Sequence, residues 1–143
     1  MAVGVGLALQ GGTLEDILRS MVQAARRYSP TTADMMSEAI DEARRGVGPE
    51  VTLDRLRSWA AHEAIAAAVY LVARHPTDPK AAILEGANTP GDSDSIATIA
   101  GALIGARCGI HALPNEWVNQ IERRAELHEY ARQIRVEPGV MPL

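Results

Sequence analysis

The sequence contains no phenylalanine and one cysteine, and aromatic residues make up 3% of its 143 positions. A single cysteine excludes an internal disulfide and a cysteine-based metal cluster, which favours a reducing, cytoplasmic location. We interpret Cys108 as a small buried residue. Because alanine and the 12 glycines are abundant where aromatics are scarce, the composition favours helices packed through small side chains over a sheet.

Clusters of like charge and long apolar runs are also missing. The chain has 18 acidic and 14 basic residues, a net charge of −4, and its basic residues are not grouped as a nucleic-acid surface requires. The apolar stretch at residues 2–9 has no basic flank and is far shorter than the ~20 residues that cross a bilayer. We therefore predict no nucleic-acid partner, no signal peptide and no membrane span.

Apolar residues recur at helical spacing through most of the chain, without strand-like alternation or a fixed repeat. Thr13 followed by Asp16 resembles a capping box, and Asp78-Pro79 is a typical N-cap and first-turn pair. The pattern predicts helices over 14–28, from Thr32 to Arg45, from Thr52 toward Trp59, and over 60–73, 79–87, 94–106 and Pro114 to Ile134. We predict an all-α bundle, a single domain over 1–143 with an irregular tail at 137–143.

Glycines follow one another at four-residue steps in the helix predicted over 94–106. Gly101 and Gly105 lie inside it, and Gly109 lies just beyond it. A glycine costs ~1 kcal/mol relative to alanine inside a helix, so we expect a packing reason for these residues. The spacing predicts that another backbone crosses this helix closely.

The segment from Gly91 to Ser95 carries the most informative polar residues. Asp92 and Asp94 are two residues apart, and in extended backbone their carboxylates point the same way. Hard cations such as magnesium bind such oxygen clusters. Equally, Ser93 or Asp94 could cap the helix that follows, because serine and aspartate are favoured at helix N-termini.

Other motifs that bind metals or activate nucleophiles do not fit. A calcium-binding EF-hand loop that began at Asp92 would require glycine at position 97 and glutamate at 103, where alanine and leucine stand. His62-Glu63 has Ala66 where a zinc protease motif has its second histidine. The four histidines are scattered, and neither a nucleophile elbow nor a phosphate-binding glycine loop is present.

Residues 88–97, followed by Gly101, Gly105, Leu113-Pro114 and Trp117, resemble the C-terminal signature of ADP-ribosylglycohydrolases of the dinitrogenase reductase-activating type. The likeness extends upstream to Gly11-Gly12-Thr13 and to the segment from Trp59 to Tyr70, and it covers nearly the whole chain. It implies an orthogonal all-helical bundle. It also implies a hydrolase that removes ADP-ribose from a modified protein side chain or a related small acceptor.

The resemblance further implies a binuclear magnesium site, in which manganese can replace magnesium. Asp92 and Asp94 would be catalytic metal ligands, and Ser95 would offer its hydroxyl to the metal. Gly91 and Ser93 would contact the ADP-ribosyl group.

The family's N-terminal motifs, including a Thr-Asp-Asp cluster, have no counterpart in the sequence. We therefore expect a C-terminal portion with half of the metal site, which a missing N-terminal half, supplied by the same gene or another chain, would complete. A homo-oligomer is the other predicted association. The alternatives are a non-catalytic module that binds ADP-ribose or metal, and a helical interaction domain in which Asp92 and Asp94 only cap. If the N-terminal half is missing, the apolar segment at 2–9 would be a core helix with apolar surface left exposed.

Overall fold

A computed structural model describes residues 1–133 of the chain, and every regular element in that range is helical. The α-helices are α1 Ala2–Leu9, α2 Leu14–Tyr28, α3 Pro30–Arg44, α4 Pro49–Arg55, α5 Ala61–Arg74, α6 Pro79–Ala87, α7 Ser93–Cys108, α8 Asn115–Gln120 and α9 Arg124–Gln133. A 3₁₀ turn, Ile110–Ala112, follows α7. The all-α prediction is confirmed, whereas Ile134 and the predicted tail at 137–143 lie outside the described residues.

Capping side chains begin two of the helices as predicted. The Thr13 hydroxyl accepts a hydrogen bond from the Asp16 amide at 3.1 Å at the start of α2. Asp78 accepts one from the Ala81 amide at 2.9 Å at the start of α6, where Pro79 takes the first helical position. These side chains satisfy amides that have no partner inside the helix.

The predicted start of α3 after Thr32 is wrong by one turn. Ser29 ends α2 with its backbone and caps α3 with its side chain, which accepts a hydrogen bond from the Thr32 amide at 3.3 Å. Pro30 is the first residue of α3, where a missing amide hydrogen costs nothing. Ser29-Pro30 therefore starts one helix as well as ending another.

Two further helix boundaries differ from the prediction. Thr52 does not cap α4, because Gly48 stands at the N-cap, Pro49 follows it, and Thr52 is buried within the helix. The last predicted helix is divided into α8 and α9 by a turn in which Arg123 has a φ of 56°. A non-glycine residue in that left-handed region interrupts a right-handed helix.

The centre of the molecule is α5, which packs against α3, α6 and α7. Eight of its 14 residues are buried, among them four alanines that let neighbouring helices approach. The fully buried Tyr70 keeps its hydroxyl satisfied by donating to the Val47 carbonyl at 2.6 Å, beyond the end of α3. The prediction that this alanine-rich segment is buried is confirmed.

The close helix crossing involves a different glycine from those predicted. In the α6–α7 contact, a Cβ on Gly86 would lie 3.2 Å from the Ala97 Cα and 3.1 Å from a Leu71 methyl carbon. A Cβ on Gly101 would make only ordinary contact with Ile83, and one on Gly105 would meet nothing within 4 Å. The predicted close approach at Gly105 is therefore wrong.

Apolar surface is left open beside α1, as the sequence suggested. Only Gly4 and Ala8 of this helix are buried, and Met1 and Leu9 are 55% and 51% exposed. A groove of about 420 Å³ lies beside it, lined largely by apolar side chains such as Val3 and Met21. At the end of α7, Cys108 is only partly buried against the core, contrary to the prediction that it is buried.

Across residues 1–133, no helix combines the length and the apolar character that crossing a membrane requires.

We expect Gly86→Ala to destabilise the fold by about 1–3 kcal/mol, because the new methyl group overpacks the contact between α6 and α7. Gly105→Ala is the matched control, with open space at its Cβ position, and it should raise stability by up to about 1 kcal/mol through helix propensity. Urea unfolding of both variants measures the difference. Equal free energies of unfolding would contradict the assignment of the close crossing to Gly86.

Candidate metal centre

The first turn of α7 holds the predicted site residues. Asp92 occupies the N-cap position, and its carbonyl accepts the first helical hydrogen bond from the Ile96 amide at 3.2 Å. The Asp92 side chain makes no capping hydrogen bond. Ser93 and Asp94 already lie inside the helix, so the alternative in which one of them is the N-cap is wrong.

The polar side chains of this turn lie close to solvent. Asp94 is exposed, whereas Asp92, Ser93 and Ser95 are half-buried. The Ser95 amide donates to the Asp94 Oδ1 at 3.1 Å, which orients that carboxylate across the helix start. The structure therefore brings two carboxylates and a hydroxyl together within one turn, at an accessible surface.

The pKa of Asp92 is lowered from its ordinary value. The main cause is the polar interaction with the neighbouring Asp94 carboxyl, followed by that with the Ser95 hydroxyl. These interactions favour the ionised form of Asp92 over a small opposing effect of burial. An ionised carboxylate is the form that binds a cation.

Gly91 has a reason to be glycine inside the chain itself. Its φ of 101° lies in a region that L side chains rarely adopt. A Cβ at this position would overlap the Arg57 carbonyl oxygen and lie 3.0 Å from the carbonyl carbon. The backbones of two loops therefore pass in direct contact, and packing alone accounts for the glycine.

A backbone hydrogen bond joins the same two loops. The Asp92 amide donates to the Arg57 carbonyl at 3.0 Å, while the Arg57 guanidinium turns away and donates to Asp54, at 3.2 Å to its carbonyl and 3.1 Å to its carboxylate. No pattern in the sequence indicates this contact, because it uses main-chain atoms rather than particular side chains.

A cavity of about 290 Å³ adjoins the loop that leads into α7. It is lined by Pro49, Glu50, Leu53, Glu85, Asn88, Thr89 and Pro90. Three of these residues immediately precede Gly91, so the cavity borders this loop, and neither Asp92 nor Asp94 lines it.

The remaining titratable side chains do not add ligands to this site. Within residues 1–133, no three or more histidine, cysteine, aspartate or glutamate side chains are grouped so that they could hold a metal ion. The His75 Nε2 lies 2.9 Å from a carboxylate oxygen of Glu85, between the end of α5 and α6. His111 and His128 are exposed.

Gly91→Ala should reduce the free energy of unfolding by about 2–4 kcal/mol, because alanine disfavours a positive φ and its methyl group also collides with the Arg57 backbone. Gly46→Ala is the matched control: its φ is 75° and its Cβ position is open. It should lose only about 1 kcal/mol. Equal losses in urea unfolding would show that the contact with Arg57 imposes no constraint.

Comparison with known proteins identifies the family of the chain. The model of the ADP-ribosylglycohydrolase family matches residues 1–140. No curated protein and no solved structure gives a significant match. The family match covers nearly the whole chain and agrees with the all-helical fold, and we conclude that the chain belongs to the ADP-ribosylglycohydrolase family.

Proposed function

We propose that this protein removes ADP-ribose from a modified protein side chain or a related small acceptor, and that it uses a divalent cation held at the start of α7. Its ligands are Asp92, Asp94 and Ser95, the ion is magnesium with manganese as a substitute, and the protein works in the cytoplasm. The observation that carries the proposal is the gathering of these three oxygen ligands in one accessible turn of a member of this family.

The chemistry of the ligand set fits a hard cation. Magnesium prefers about six oxygen ligands and usually keeps several waters, so two carboxylates and a hydroxyl supply part of a coordination sphere. Two carboxylates so close in sequence repel each other when both are ionised, and a divalent ion removes that repulsion.

The position of this turn also suits an anionic ligand. A helix of 16 residues begins here, and its N-terminus carries partial positive charge that favours a diphosphate. The Ser93 amide already donates to the Gly91 carbonyl at 2.9 Å, so we assign the contact of Ser93 with ADP-ribose to its hydroxyl. When bound, a divalent cation stabilises developing negative charge and orients the reacting groups.

A second candidate function follows from the small number of ligands. Because residues 1–133 contain no group of three or more metal-binding side chains, the described chain fits a partial site as well as a complete one. The protein would then be a non-catalytic module that binds ADP-ribose or metal. Binding and turnover separate the two candidates.

We expect wild-type protein to bind Mn²⁺ or Mg²⁺ in a calorimetric titration, and Asp92→Asn to weaken that binding at least tenfold, because a charged ligand is lost. ADP-ribose affinity measured in the presence of the ion should fall as well. The matched control is Asp34→Asn, which changes the charge by the same amount on α3, where Asp34 pairs with Arg26 at 2.8 Å.

Asp34→Asn should bind the ion and ADP-ribose as the wild type does. Equal ion binding by wild type and Asp92→Asn would refute the metal centre. The helix N-terminus would then be left with a purely structural role.

Turnover distinguishes the enzyme from the binding module. We expect wild-type protein with Mg²⁺ to release ADP-ribose from an ADP-ribosylated protein, and Asp92→Asn to reduce the rate at least a hundredfold, because the cation is no longer held. The measurement is quantification of free ADP-ribose over time. Binding of ADP-ribose without release would favour the non-catalytic module.

A further inference from the structure

Between α4 and α5 the chain makes a turn at Leu56, Arg57 and Ser58, in which Arg57 is exposed and the two residues beside it are buried. Ser58 has a φ of 65° although it is not glycine, and it is only 1% exposed. Its hydroxyl donates to the Leu56 carbonyl at 3.0 Å, and Leu56 is itself 1% exposed. A non-glycine residue holds this conformation only where its surroundings impose it, and such residues concentrate at functional sites.

Through its main chain, the turn contacts the loop that contains Gly91 and Asp92. Its central carbonyl, that of Arg57, accepts the Asp92 amide hydrogen bond, and the same peptide leaves no room for a side chain at Gly91. The direction of this carbonyl depends on the backbone torsions of the residues on either side of it. Ser58 is one of them, and the hydroxyl bond to Leu56 spans the Arg57 peptide.

We propose that Ser58 is a positioning residue for the metal centre: by holding the turn in its left-handed conformation, it directs the Arg57 carbonyl at the Asp92 amide and fixes the backbone that carries the Asp92 carboxylate. The inference rests on the proposed function, because it assigns Asp92 to the metal. Ser58 itself touches neither the ion nor the substrate.

The energetic reason is preorganisation. Ligands that are held in place by their supporting residues bind an ion without first being ordered. If the turn leaves its native conformation, the apparent affinity for the ion falls with the fraction of molecules in which the loop is correctly placed. A residue that adopts a left-handed φ easily should preserve the affinity, and one that adopts it reluctantly should lower it.

The experiment compares Ser58→Ala with Ser58→Gly, both of which lack the hydroxyl but differ in their tolerance of a positive φ. In a calorimetric Mn²⁺ titration, Ser58→Ala should bind about fivefold more weakly than wild type, because alanine disfavours the left-handed conformation and lacks the hydroxyl bond to Leu56 that holds serine in it. Ser58→Gly should stay within about twofold of wild type. Amide hydrogen exchange at Asp92, measured without metal, should be faster in Ser58→Ala and close to wild type in Ser58→Gly.

A control separates this effect from general destabilisation. Ile17→Val truncates a buried side chain of α2, and it should lower the thermal midpoint while leaving the Mn²⁺ affinity and the Asp92 exchange rate unchanged. Wild-type affinity in Ser58→Ala would overturn the inference, as would an equal loss in Ser58→Gly and Ser58→Ala. If wild type fails to bind Mn²⁺, the proposed metal function is wrong, and the metal-free exchange rates then decide the inference: unchanged Asp92 exchange in Ser58→Ala overturns it.

Discussion

Burial of α5 is the constraint on which the other elements depend. This helix contacts α3, α6 and α7, and side chains around most of its circumference are withdrawn from water. Four of its buried residues are alanines, so its neighbours approach its backbone closely, and little volume is available for adjustment. In an interior packed as densely as a crystal, a shift of one neighbour must be accommodated by the others.

The candidate site follows from how α5 and α7 begin. The turn at residues 56–58 leads into α5, and the loop through Gly91 leads into α7. Since these two helices pack against each other, the loops before them lie in contact. The hydrogen bond from the Asp92 amide to the Arg57 carbonyl joins the two loops. The carboxylates thus project from a backbone that is tied to the core, which favours a fixed ligand geometry.

Much of the fold was predictable because helix boundaries depend on local chemistry. Thr13 and Asp78 act as the caps that their residue types suggest, and the alanine-rich stretch is buried. The predicted boundaries were wrong in two situations. Ser29 ends one helix and caps the next, and α4 begins at a proline before Thr52, so that Thr52 lies inside the helix that it was expected to cap. The assignment to a single domain stays a prediction.

At the site, the sequence located the carboxylates but could not locate what supports them. A motif of particular side chains indicates Asp92, Asp94 and Ser95 as candidate ligands. The contact of residues 56–58 with the loop that carries Asp92 uses only main-chain atoms and one backbone conformation. The same limit explains why the close approach was predicted at the glycines of α7 although it occurs at Gly86 on α6. Spacing along one helix does not reveal which of two packed helices carries the crowded residue.

At Gly91, the requirements of folding can be distinguished from the requirements of ligand binding, although the two usually coincide in a binding loop. The space beside this residue is filled by the protein's own backbone, so folding alone demands glycine there. A descendant of this chain that had lost every ligand and all activity would still have to keep it. The carboxylates of Asp92 and Asp94 have no comparable role in packing, and only the proposed metal binding requires them.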